Sequence, residues 1–253
     1  MSQSNQYSQI AANLAASLDL RQPPVAISFT ESIPPGLGAH EGRVAAGCRF
    51  WQDAATTAFA TSAADHSMCS IGVYTHNLPF TAAASADLQD ALKVFAELDY
   101  VRAEDIAAIP VLQRQPAHVV YGPLDQTPLP PDVVLLFVDA RQTLILSEAV
   151  QQVEQGTPPA MGRPACAVIP QVMNTGRAAL SLGCCGARAY LDVLTDDVAI
   201  FAIPGNKVQA YAERIDALAK ANGVLSKFHE IRRHHIAAGG TPSIKDSLAA
   251  LAG

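Results

Sequence analysis

The chain has 253 residues, 49% of them hydrophobic and only 16% charged, with a net charge of −6 at pH 7. A chain of this length buries enough apolar surface to fold without disulfide staples, as one large domain or two intimate ones. Lys and Arg form no runs, which excludes the basic footprint of a nucleic-acid binder, and the shortage of charge to cover the surface argues for a homo-oligomer.

The N-terminal MSQSNQYSQIAANLAASLDL lacks the basic start and apolar core of an export signal, which points to the cytoplasm. Five cysteines in such a chain are expected to stay reduced and to serve metal ligation or thiol chemistry. Residues 5–19 place Ile10, Leu14 and Leu18 at helical spacing, and the prolines at 23 and 24 end that helix. PVAISF, 24–29, is a short buried strand. A Pro/Gly-rich loop, 33–43, leads to Cys48, where CRFWQDAATTAFATSA predicts an Ala-rich helix with Cys69 beyond its end.

Residues 87–98 align Leu88, Leu92, Phe95 and Leu98 on one helical face behind Asp87 as N-cap. HVVYGP and VVLLFVDA then read as strands, and TLILSEAVQQVEQG as a helix closed by Gly156. VVLLFV is far shorter than the roughly 20 residues that cross a bilayer, so no membrane span is expected. GRPAC leads into a second helix, expected to end at Gly183. The strand VAIFAIP follows, then the helix of 206–221 with Gly223 as its stop, and a tail with a charged segment and a short terminal helix.

Two segments correspond, 42–74 and 162–190. Each has Gly-Arg, a Cys, a predicted helix, a second Cys and a Tyr soon after; the two cysteines of each are 21 and 18 residues apart. The expected fold class is therefore α/β, with two pseudo-symmetric strand-loop-helix halves from an internal repeat, residues 1–116 and 117–253, packed as one globular unit. A pseudo-two-fold axis would bring Cys48 and Cys69 together with Cys166 and Cys184. Four gathered thiolates suit an iron-sulfur cluster or zinc, and the absence of close C-x₂-C knuckles disfavours a zinc ribbon. The competing structural reading is that free cysteine is a small hydrophobe often found buried.

Arg43 and Arg163 precede the first cysteine of each copy and would neutralise a cluster or an anion. Ser70, Gly72 and Gly186 would let backbone N–H groups approach sulfur. His66 and His76 flank Cys69 as candidate metal or haem ligands, against the plainer reading of surface or core histidines. His229, His234 and His235 read as a solvated helix face, and Cys185 as a bystander. No GxGxxG, P-loop, HExxH or GxSxG motif is present.

PVAISF after an N-terminal helix, GC at 47–48, CSIG at 69–72, VVLLFVDA, GRPAC at 162–166 and SLGCCGAR at 181–188 together resemble the family catalogued as domain of unknown function 169, over nearly the whole chain. The resemblance implies that Cys48, Cys69, Cys166 and Cys184 are the set of interest, and it implies no reaction. The leading expectation is a 4Fe-4S protein with a redox or electron-transfer role, its four cysteines holding the cluster and its partner a redox protein or small molecule. The alternatives are a module binding haem or another tetrapyrrole through a Cys or His, and a thiol-dependent enzyme whose nucleophile is a low-pKa Cys48 or the Cys184-Cys185 pair.

Overall fold

The computed structural model describes residues 3–156 and 158–252. The elements run α1 (Gln3–Leu18), β1 (Val25–Thr30), α2 (Arg49–Asp53), β2 (Phe59–Ser62), α3 (Ser70–Thr75), α4 (Ala82–Glu97), α5 (Ala103–Ala107), β3 (His118–Pro123) and β4 (Val133–Val138). The chain continues through α6 (Ala140–Val153), β5 (Ala160–Met161), α7 (Val168–Thr175), β6 (Ala179–Ser181), α8 (Cys185–Tyr190), β7 (Ala199–Pro204), α9 (Val208–Ala237) and α10 (Ile244–Ala252). The α/β class read from the sequence is the class observed.

Seven strands form one sheet in the order β2-β3-β1-β4-β7-β6-β5. β1 and β4 pair antiparallel at its centre, Val25 opposite Leu135 and Ile27 opposite Val133. Outward from that pair the arrangement reads the same both ways. β3 lies antiparallel on β1 and β2 on β3, while β7 lies antiparallel on β4 and β6 on β7. β5, parallel to β6, adds an edge on one side only. In each direction the third strand is bracketed by cysteines in sequence, β2 by Cys48 and Cys69, β6 by Cys166 and Cys184.

The central strands are continuous apolar runs because both faces of the sheet are covered. Along β4, Val133, Leu135 and Phe137 join one core cluster with Ile27, Trp51 and Val168, while Val134, Leu136 and Val138 join another with Leu14, Leu146 and Tyr211. The strand's two-residue side-chain period assigns alternate residues to opposite faces. One face thus carries α1, α6 and α9; the other carries α2, α3, α7 and the cysteine loops. α6 begins at a capping box, Asp139 Oδ1 accepting from the Gln142 N–H at 2.8 Å and Gln142 Oε1 from the Asp139 N–H at 2.7 Å.

Several boundaries differ from the sequence reading. The Ala-rich segment after Cys48 is not one helix: α2 stops at Asp53, and β2 takes its second half because Phe59, Ala60 and Thr61 pair with Tyr121, Val120 and Val119. The segment after Cys166 divides likewise, since Gly176 adopts the left-handed conformation (φ +63°) that closes α7 and β6 follows. The α4 cap is Thr81, whose side chain accepts from the Ala84 N–H at 3.1 Å, in place of Asp87. α9 runs through Gly223 to Ala237; a glycine without the left-handed turn weakens a helix without ending it.

Candidate functional site

All four repeat cysteines stand at helix starts on the same face of the sheet. Cys48 is the N-cap of α2, held down by the fully buried Phe50 and Trp51 that follow it. Cys69 caps α3. Cys166 lies in the 3-10 turn Ala165–Ala167 that opens α7, and Cys184 caps α8, its Sγ accepting from the Ala187 N–H at 3.4 Å. Cys48 is part of the core, and Cys69, Cys166 and Cys184 pack against the same cluster.

Cys48, Cys69 and Cys166 are held toward the thiol form. Burial, reinforced by Cys69 and Cys184, pushes Cys48 up to about 12. Burial also raises Cys69, against the opposing pull of the Gly47 and Gly72 N–H groups. It raises Cys166 well above the ordinary value, with Cys69 adding to it and the Thr75 hydroxyl, which donates to Cys166 Sγ at 3.3 Å, working the other way. Taking charge out of water is costly, and burial is the largest influence on each of these three sulfurs. The low-pKa Cys48 nucleophile is therefore corrected: its environment favours the proton.

The 4Fe-4S expectation is corrected as well. Among the described residues no group of three or more His, Cys, Asp or Glu side chains could hold a metal ion. The four cysteines share a pocket without forming a ligand set. Cys69, Cys166 and Cys184 each take a hydrogen bond from a separate local donor. The four cysteines line one pocket, but the environments of Cys48, Cys69 and Cys166 are set by surroundings that spacing does not encode.

The pocket they line has a volume of about 510 Å³. Its floor carries the four thiols with Gly47, Gly72 and His76; one wall is built from Leu92 and Phe95 of α4 with Tyr100, Ile109 and Pro110 beyond it. Met68, Met161 and Tyr190 complete the rim and are themselves strongly exposed. Of the residues singled out in the sequence, Ser70, Gly72, Gly186 and Arg163 line this pocket together with the cysteines. Arg43 is exposed and is not among the lining residues. Arg163 lies over the Tyr100 ring, 5.1 Å from its centroid, and donates to the Tyr100 carbonyl. It thereby ties the α4 wall to the Cys166 loop. Cys185 is exposed at the pocket edge.

Gly72 is required by closeness. A Cβ there would sit 2.9 Å from Cys69 Sγ, a distance side chains do not tolerate, and its absence lets the backbone N–H reach the sulfur.

Neither His66 nor His76 is a surface residue. Both are buried, and burial depresses them to about 3 and about 4, so both rings are neutral. His76 Nδ1 lies 2.8 Å from the Gly72 carbonyl, and His66 Nε2 lies 3.0 Å from Thr61 Oγ1, whose own hydrogen goes to the Val119 carbonyl. His229, His234 and His235 are exposed on α9, the solvated face expected of them. Sequence reasoning missed the α4 wall and Thr75. The amphipathic pattern of α4 marked an apolar face without saying that it faces a cavity.

No helix among the described residues is long and apolar enough to cross a membrane. No curated protein and no solved structure matches the chain. The model of the DUF169 family, described as "Uncharacterised ArCR", matches residues 13–214, and with the cysteine-bearing loops inside that span the chain belongs to this family.

Proposed function

We propose that this protein binds a predominantly apolar small molecule in the thiol-floored pocket. The observation that carries the reading is the cavity itself. About 510 Å³ falls within the range of roughly 300–1,000 Å³ typical of ligand sites, and aliphatic and aromatic side chains line it with few polar groups among them. Cys48, Cys69 and Cys166, held toward the neutral thiol, behave as small apolar groups, so this part of the floor supports the same ligand chemistry as the walls. The exposed Met68, Met161 and Tyr190 at the rim favour it further, since apolar surface around a cleft marks a place where something docks. A tetrapyrrole is a large member of this ligand class.

The test is a fluorescence titration of the intact chain with 2-phenylbenzofuran, a flat apolar probe without hydrogen-bond donors. Saturable binding of one probe per chain is expected. Gly186→Leu should weaken it at least tenfold while leaving the melting temperature within a few degrees. Gly186 lines the pocket, and a Cβ there meets nothing closer than Tyr190 at 3.9 Å, so the added side chain takes up ligand space rather than straining the fold. Unsaturable binding, or binding indifferent to Gly186→Leu, would overturn the reading.

A further inference from the structure

Among the described residues, His76 is the pocket-lining residue with a buried side-chain nitrogen that has no hydrogen-bond partner. His76 Nδ1 faces the Gly72 carbonyl at 2.8 Å, and a carbonyl only accepts, so Nδ1 carries the hydrogen. The ring is neutral, which makes Nε2 a bare lone pair. That nitrogen is buried, has no hydrogen-bond partner among the described residues, and belongs to a residue lining the pocket. The Nδ1 bond also holds the ring in place. Thr75 Oγ1 reinforces it from 3.2 Å while directing its own hydrogen at Cys166 or Gly72. Neighbouring rings, Phe29 at 5.5 Å and His66 at 5.9 Å between centroids, pack against it.

A buried acceptor left unpaired is expensive, and natural proteins rarely retain one without a use. We infer that His76 Nε2 is the acceptor that reads a hydrogen-bond donor on the pocket's ligand, so that the ligand is an apolar molecule bearing one inward-facing N–H or O–H group. The inference rests on the pocket reading above and adds the polar feature that reading lacks. Sites built to pair with a donor discriminate strongly against analogues that lack it, because the analogue leaves the site's own polar atom unmet. His66 supplies the internal contrast. Its Nδ1 is equally unpaired, yet His66 does not line the pocket, and the nitrogen lies 3.2 Å from where a Gly47 Cβ would stand.

The experiment compares 2-phenylindole with 2-phenylbenzofuran, which match in shape and differ in the ring N–H. Wild-type protein should bind 2-phenylindole about tenfold more tightly, the worth of one hydrogen bond, and His76→Phe should bind both probes alike. Because His76→Phe tests the packing too, the wild type labelled with ¹⁵N-histidine gives a second readout. The Nε2 resonance of His76 should move upfield with 2-phenylindole and stay in place with 2-phenylbenzofuran. Equal affinities in the wild type, with both probes displaced by Gly186→Leu, would overturn the role of His76 and leave the pocket reading standing. A preference that survives His76→Phe would overturn it likewise. Binding of neither probe would overturn both.

Discussion

The two faces of the sheet solve the problem of buried polarity in opposite ways. On the face covered by α1, α6 and α9, the buried carboxylate of Glu154 is surrounded by partners. It accepts from the Ala178 N–H at 3.0 Å, with Lys207 Nζ at 3.5 Å and Arg177 Nε at 3.7 Å. On the cysteine face the buried groups are neutral and incompletely paired: Trp51 Nε1, His66 Nδ1, His76 Nε2 and the Tyr121 hydroxyl have no partner among the described residues. The first face satisfies the charge it buries, and leaves only a neutral group, the Tyr211 hydroxyl, without a hydrogen-bond partner among the described residues. The second pattern is that of a surface shaped for something besides its own folding.

If the helical face is scaffold, damage to it should cost stability and spare binding. Phe201 lies on β7 in the cluster with Leu14, Leu136 and Tyr211, and is fully buried. Phe201→Ala is expected to lower the unfolding free energy by about 3–5 kcal/mol, measured by urea denaturation, with the affinity for 2-phenylbenzofuran unchanged at temperatures where the variant is folded. A parallel loss of affinity would show that the two faces are not separable.

The cysteine face should instead fail in acid. His66 and His76 hold pKa values of about 3 and about 4 in the folded chain against 6.5 ordinarily, burial being the main cause in both. The unfolded chain therefore takes up protons below 6.5 that the folded chain refuses. Their contribution to stability is fully present above pH 6.5 and is lost as the pH falls toward 4. At pH 4.5 each has removed about 2–3 kcal/mol, at roughly 1.4 kcal/mol per unit. Histidine resonances should show both rings mostly neutral at pH 4.5 while the urea midpoint falls. Rings that titrate near 6.5 in the folded protein would remove the burial argument.

Much of this division was legible in the sequence. VAISF, VVLLFV and AIFAIP announced strands, the first of them buried, and the recurrence of Gly-Arg and two cysteines pointed to the four cysteines that line one pocket. What the residues could not announce were effects of surroundings. The segment after Cys48 is rich in alanine and threonine, a composition that pairing with Tyr121 and Val119 turns to strand; alanine's helical preference is too small to resist. Gly223 looks like a stop and sits within α9, because nothing there imposes a positive φ. Above all, cysteine spacing is the same whether the sulfurs are thiolates around iron or thiols beneath a cavity. Desolvation separates the two cases, and desolvation is a property of the packed chain.

The finest test of the comparison lies at Gly72, where the two demands on the cysteine face meet in one residue. As a helical residue Gly72 is a poor choice, and alanine would gain about 1 kcal/mol by propensity. As the neighbour of Cys69 it is forced, since the added Cβ would lie 2.9 Å from Sγ and 3.6 Å from Cβ of that side chain. Overpacking of this kind costs about 1–3 kcal/mol, so Gly72→Ala should destabilise by about 1 kcal/mol on balance. In a Cys69→Ala background the sulfur is gone and only the propensity remains, so the same substitution should become stabilising by a similar amount. A double-mutant cycle followed by urea denaturation reads the reversal. Additivity across the cycle would mean that the helix alone governs this position; a change of sign would mean that the chain accepts a weaker helix to bring a backbone N–H against a buried thiol.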